Sequence, residues 1–209
     1  GYAAGSDIAF WGTLTVAAGG TLTNVVLSSN ANGTLTLDAA LADGSWTGTA
    51  DGAITLVIGM LELAGFAGAD SQVAVVGGST VDGTNFQVVG ALARLAGGAN
   101  DARFDGEYAG VKLYGPRTGG SAPAGSANLG RLRAVGAGLY QEQFGVGSTD
   151  GRYDPGGTSF GADLPYTVAP NGALTVNRRV GFVSADGRTV LLAGNVDAPL
   201  APGIGIFVR

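Results

Sequence analysis

Ala50-Asp51-Gly52-Ala53-Ile54-Thr55-Leu56 returns 120 positions later as Pro170-Asn171-Gly172-Ala173-Leu174-Thr175-Val176. Each copy joins an Asx-Gly turn to a run in which apolar and small polar residues alternate. Asx-Gly pairs tolerate the positive φ that two-residue hairpin turns require. Alternation with period two marks a half-buried strand. The likeness continues downstream, where Gly65-Phe66-Ala67-Gly68-Ala69-Asp70 resembles Gly181-Phe182-Val183-Ser184-Ala185-Asp186, 116 positions on. Each of these leads into an apolar run ending in Gly, Val73 to Gly77 and Val190 to Gly194. A final run, Phe86 to Leu92 or Ile204 to Val208, closes each unit. Similarity at so regular a spacing predicts an internal duplication.

The rest of the chain has the same grammar. Strand-like alternation recurs at Phe10 to Val16, Gly33 to Leu37, Ser45 to Thr49, Gln72 to Val76, Tyr108 to Leu113 and Tyr166 to Val168. Asn32-Gly33, Asp43-Gly44, Asp82-Gly83, Asp105-Gly106, Asp150-Gly151 and Asp186-Gly187 add further hairpin signals in both halves. Helical periodicity is nearly absent, and consecutive hairpins leave no room for crossover helices. The expected fold is all-β: two tandem antiparallel meander modules, small β-barrels or sandwiches, with most strands of five or six residues. The join lies near Ala96 to Asp101, giving modules at 1–98 and 99–209. The second carries two longer loops, Gly115 to Asn128 and Gly147 to Asp163, and long loops on a rigid scaffold are where function tends to sit.

Composition narrows the chemistry. The 209 residues include 39 Gly, no Cys and no His. Disulfides, thiolate metal sites, cysteine nucleophiles and Ser-His-Asp arrangements are therefore excluded. Charged residues make up 13%, about half the usual roughly 25%. Residues 1–100 hold seven acids and one base, Arg94; residues 101–209 hold nine acids and ten bases. With a net charge of −5 and no basic stripe, duplex nucleic acid is not an expected partner. The longest apolar run, Ala53 to Phe66, is too short and interrupted for a transmembrane helix. A chain beginning at Gly1 reads as processed, and the expected location is the cell exterior or surface.

Few residues point to chemistry. Lys112, the sole lysine, sits between Val111 and Leu113, which places its ammonium in solvent. Asp105 and Glu107 would share a strand face as a carboxylate pair, but Asp105-Gly106 reads as a turn. Asp150, Asp154 and Asp163 lie in one Gly-rich loop and are the candidate ligands for a structural calcium ion, the only cofactor considered. Trp11, Trp46, Tyr153 and Tyr166 are the candidate ligand-binding aromatics, able to stack on a sugar or to plug the ends of a core. Gly1 to Ile8, or the apolar run with Ile204, Ile206, Phe207 and Val208, could be donated to a neighbouring chain as an added strand.

The expected function is that of a non-enzymatic structural or assembly protein of the cell exterior, a filament, sheath or surface-layer subunit whose partners are copies of itself. The first alternative is a secreted module binding a glycan or a small apolar ligand. The second is an outer-membrane β-barrel.

Overall fold

The computed structural model describes residues 2–4, 8–31, 34–70, 72–80, 87–95, 97–114, 126–149, 152–177, 179–195 and 203–209. The protein is all-β and consists of two nine-stranded antiparallel sheets. The first contains β1 (Tyr2–Ala4), β2 (Ile8–Ala17), β3 (Thr21–Ala31), β4 (Thr34–Ala40), β5 (Gly44–Gly48), β6 (Ala53–Ile58), β7 (Leu61–Ala67), β8 (Val73–Thr80) and β9 (Gln87–Ala93). A single 3-10 turn, Asp101–Arg103, follows. The second sheet contains β10 (Glu107–Tyr114), β11 (Ser126–Gly136), β12 (Leu139–Thr149), β13 (Arg152–Asp154), β14 (Leu164–Val168), β15 (Ala173–Val176), β16 (Arg179–Val183), β17 (Thr189–Asn195) and β18 (Gly203–Val208). The sheets divide between Ala93 and Glu107.

The two sheets are the same object built twice. The first runs β2-β1-β9-β8-β7-β6-β5-β3-β4, and the second runs β11-β10-β18-β17-β16-β15-β14-β12-β13. Every strand of the second is its counterpart in the first advanced by nine. Turn details repeat as well. Gly52 and Gly172 adopt φ of 87° and 85°. Gly52 N–H donates to Thr49 O at 3.0 Å, and Gly172 N–H donates to Ala169 O at 2.8 Å. Gly65 and Gly181 lie against a neighbouring strand so closely that a Cβ would stand 1.9 Å from Val75 O and 2.1 Å from Leu191 O. The turns Asn32-Gly33, Asp82-Gly83 and Asp150-Gly151 lie outside the described residues.

Several strands exceed the five or six residues expected: β2 has ten, and β3, β11 and β12 have eleven each. Gly12 and Gly130 sit mid-strand in two of these, where a Cβ would meet a partner carbonyl at 1.9 and 2.7 Å.

The second sheet closes on itself through β11–β12 into an eight-stranded barrel. Its interior is well filled. Phe104, Tyr108, Tyr140 and Tyr166 plug one end with ring centroids 4.8 to 6.5 Å apart, at separations favourable for aromatic pairs. Leu132, Leu174, Val176, Val183, Val190 and Phe207 complete that core. The Tyr108 hydroxyl donates to Gly187 O at 2.7 Å, and the Tyr166 hydroxyl donates to Asp101 O at 3.1 Å, so the plug buries no unpaired phenol.

The first sheet differs in one strand. In the barrel, β10 pairs with β11 over eight residues and with β18 over six. Its counterpart β1 meets β2 at two residue pairs and β9 at three. Among the described residues the wall between β2 and β9 is open past Ala9 and Val89, and these residues form a half-barrel. The outer face of β17 and β18 approaches β2 and β9 there, so the wall of the second module covers the gap in the first. Ala185 N–H donates to Arg94 O at 2.7 Å across this junction.

Candidate functional site

Covering a gap with another module's outer wall leaves space. A cavity of about 750 Å³ lies between the half-barrel's inner face and the barrel wall. Well-packed interiors leave few voids larger than a water molecule, and ligand pockets typically measure ~300–1,000 Å³. Phe10 and Leu14 of β2, Trp46 of β5 and Leu92 of β9 line it from one side, and Leu191 of β17 and Ile206 of β18 from the other. The first four are only partly buried, packed on a small core of Leu22, Val25, Leu56, Ile58, Leu63 and Val76. The Trp46 indole N–H is satisfied by Ala17 O at 3.1 Å, so the ring presents carbon to the space. Gln72 and Arg94 also line the cavity, and Gln72 O accepts from Arg94 N–H at 2.7 Å. Thr13 and Thr15 of β2 complete the polar side chains of an otherwise apolar wall.

A second feature lies inside the barrel. Residues 108, 110 and 112 share the inward face of β10, so Lys112 is buried, with 3% of its surface exposed, while Val111 faces out at 38%. This corrects the expectation of a solvated lysine: flanking apolar residues suggested an outward position, but the register of β10 gives the inward face to Tyr108 and therefore to Lys112. Lys112 Nζ donates to Glu142 Oε2 at 2.9 Å, and Arg179 donates to Glu142 Oε1. The Tyr140 hydroxyl also donates to Oε1, at 2.9 Å. Lys112 Nζ stands 4.6 Å from the Phe144 ring centroid and 5.6 Å from that of Phe207. Burial, then the nearby Arg179 guanidinium, lowers the Lys112 pKa to about 8 despite the opposing pull of Glu142. For Glu142, burial acts to raise the pKa, but Lys112 and Arg179 together hold it below the usual carboxylate range. Burial first, and Glu142 second, push the Tyr140 phenol upward. A smaller space of about 320 Å³, lined by Glu142, Phe144 and the Gly157–Ala162 stretch, adjoins this cluster.

The sequence-derived candidates separate in the structure. Trp46 and Tyr166 prove to be equivalent positions: Trp46 N–H donates to Gly20 O and Tyr166 N–H to Gly138 O, both at 2.8 Å. One lines the cavity, the other is buried in the aromatic plug. Trp11 also borders the cavity, and Tyr153 stands 74% exposed on β13. The four do not form one platform. Asp150 lies outside the described residues, as does the side chain of Asp154; Asp163 is exposed and accepts from Gln141 Nε2 at 2.8 Å. Among the described residues no group of three or more acidic side chains could hold a metal ion. Asp105 lies in the turn before β10, whereas Glu107 is bound by Arg133 and Arg131, the Arg133 hydrogen bond first among the causes that lower its pKa. Ile204, Ile206, Phe207 and Val208 belong to β18, which is paired along both edges with β10 and β17. That strand closes its own barrel and is not free for donation.

The sequence reading singled out neither Glu142 nor Arg179 as a site. The available signal was parity: Glu142 shares a strand face with Tyr140, as Lys112 does with Tyr108. Comparison with protein-family models, with curated proteins and with solved structures finds no match to this chain.

Proposed function

We propose that this chain is a non-enzymatic binding protein of the cell exterior that holds a small apolar ligand between its two modules. The observation that carries the reading is the cavity of about 750 Å³ lined by aromatic and aliphatic side chains. An apolar wall of this extent gains stability when an apolar molecule displaces water from it, by about 25 cal/mol per Å² covered. A sugar would need polar partners along its length, and the wall offers few, so the apolar ligand is preferred to the glycan. An exterior location is supported by the low charged fraction.

Strand length does not separate this protein from a membrane-spanning barrel, because four strands reach ten or eleven residues. The interior does bear on it. Spanning barrels carry a polar lumen and an apolar outer band, whereas this barrel packs its aromatic and aliphatic core inside and carries Glu107, Arg131 and Arg133 on its outer face.

The test is titration with N-phenyl-1-naphthylamine, a dye that fluoresces on entering apolar sites. One dye should bind per chain. Ile54→Trp, which adds bulk on the half-barrel side of the cavity, should weaken uptake while the circular dichroism spectrum stays unchanged. Absence of uptake, or uptake indifferent to Ile54→Trp, removes the reading.

A further inference from the structure

Two patches of outward-facing apolar side chains stand on opposite modules. On the half-barrel, Phe66 of β7 and Val75 of β8 are direct cross-strand partners, 67% and 55% exposed. Val89 of β9 lies beside them, opposite Gly77. On the barrel, Val111 of β10 is the cross-strand partner of Leu129 of β11 and, on its other side, of Ile206 of β18. Leu129 is 52% exposed, and Val146 of β12 nearby is 42% exposed. Ile206 already contributes to the wall that covers the half-barrel. The barrel patch is therefore the continuation, into solvent, of an apolar stripe the protein already uses to join β module to β module.

The surroundings of the two patches carry opposite charge. Exposed Glu62 shares the outward face of β7 with Phe66, within a half that holds seven acids against one base. Beside Leu129, Arg131 and Arg133 both pair with the carboxylate of Glu107, two positive charges against one negative among the described residues. Contiguous apolar patches with polar rims mark interaction sites, and opposite rims favour pairing of unlike patches over like ones.

We propose that copies of this chain associate head to tail, the Phe66–Val75–Val89 face of one docking on the Val111–Leu129–Val146 face of the next. Such a contact is heterologous. It leaves one free face at each end, so it propagates into a ring or a filament. The donated strand considered from sequence is not needed, since face packing replaces edge pairing.

Phe66→Asp and Leu129→Asp each place a charge at an exposed position of one face. Sedimentation velocity over a concentration series should show wild-type protein growing beyond the dimer. Each variant alone should remain monomeric at concentrations about tenfold higher, the scale expected for losing a central anchor. An equimolar mixture of the two variants should form a dimer and nothing larger, because one intact face remains on each chain. Three results overturn the proposal: a monomeric wild type throughout the series, growth unaffected by either substitution, or a Leu129→Asp variant that still dimerises alone, which would mean that like faces pair.

Discussion

Raising the pH from about 7.5 to about 9.5 should stabilise the barrel module by about 2 kcal/mol through Lys112 alone. In the folded chain the ammonium is enclosed by the barrel, with Arg179 repelling it, and its pKa falls from 10.5 to about 8. The unfolded chain retains the proton up to the ordinary lysine value. Between those two points the unfolded state binds more protons than the folded one, and stability rises with pH wherever that holds. Over the full interval the gain approaches ~3 kcal/mol, from ~1.4 kcal/mol per unit of pKa. Tyr140 acts in the opposite direction: its raised pKa means that the unfolded state releases a phenolic proton first, so its contribution is lost as pH rises above the ordinary tyrosine range. The measurement therefore stops short of that range. Urea unfolding followed by circular dichroism and tyrosine fluorescence at successive pH values gives the slope for wild type and for Lys112→Met, which keeps the length and removes the charge. Wild type should climb and the variant should not. Parallel slopes for the two proteins would refute the assignment of a desolvated ammonium to this position.

Glu142→Gln should destabilise by about 3–5 kcal/mol, because the buried Lys112 ammonium would lose the carboxylate that pairs with it; adding Lys112→Met should recover part of that loss in a double-mutant cycle. Acid should act through the same carboxylate. The folded-state pKa of Glu142 lies below its usual value of 4.5, so its contribution is full above that pH and disappears as pH falls through the folded value, a transition absent from Glu142→Gln. Gly65→Ala and Gly181→Ala should each cost about 3 kcal/mol, since overpacking against a backbone carbonyl cannot be relieved by a side-chain turn; equal denaturation midpoints for wild type and both variants would contradict the close approach described for the two walls.

Much of the fold was legible because turn chemistry is local. Asp51-Gly52 and Asn171-Gly172 announce a backbone that Asx and Gly adopt readily, and the same turn appears twice with the same hydrogen bonds. Strand length was less legible, since glycine both ends strands and permits close approach within them, as Gly12 does. The side of the sheet was not legible from local pattern at Lys112. Alternation gives the parity of a strand but not which parity faces in, and Val111 and Leu113 suggested the wrong one. Only the global register, with Tyr108 in the aromatic plug, decides it. The cavity was beyond reach of the sequence for a further reason: it lies between side chains of two modules, Trp46 and Leu92 on one and Leu191 and Ile206 on the other, and no local pattern says that these walls face each other. Trp46 was picked out for its ring alone; no argument from spacing places it beside the cavity.

The likeness of the two sheets also shows how one position can serve two ends. Trp46 and Tyr166 stand at the same place in the two sheets and make the same backbone hydrogen bond. One ring borders open space, and the other is held between Phe104 and Tyr140. A scaffold present twice in one chain can thus keep one copy closely packed and leave the other lined rather than filled.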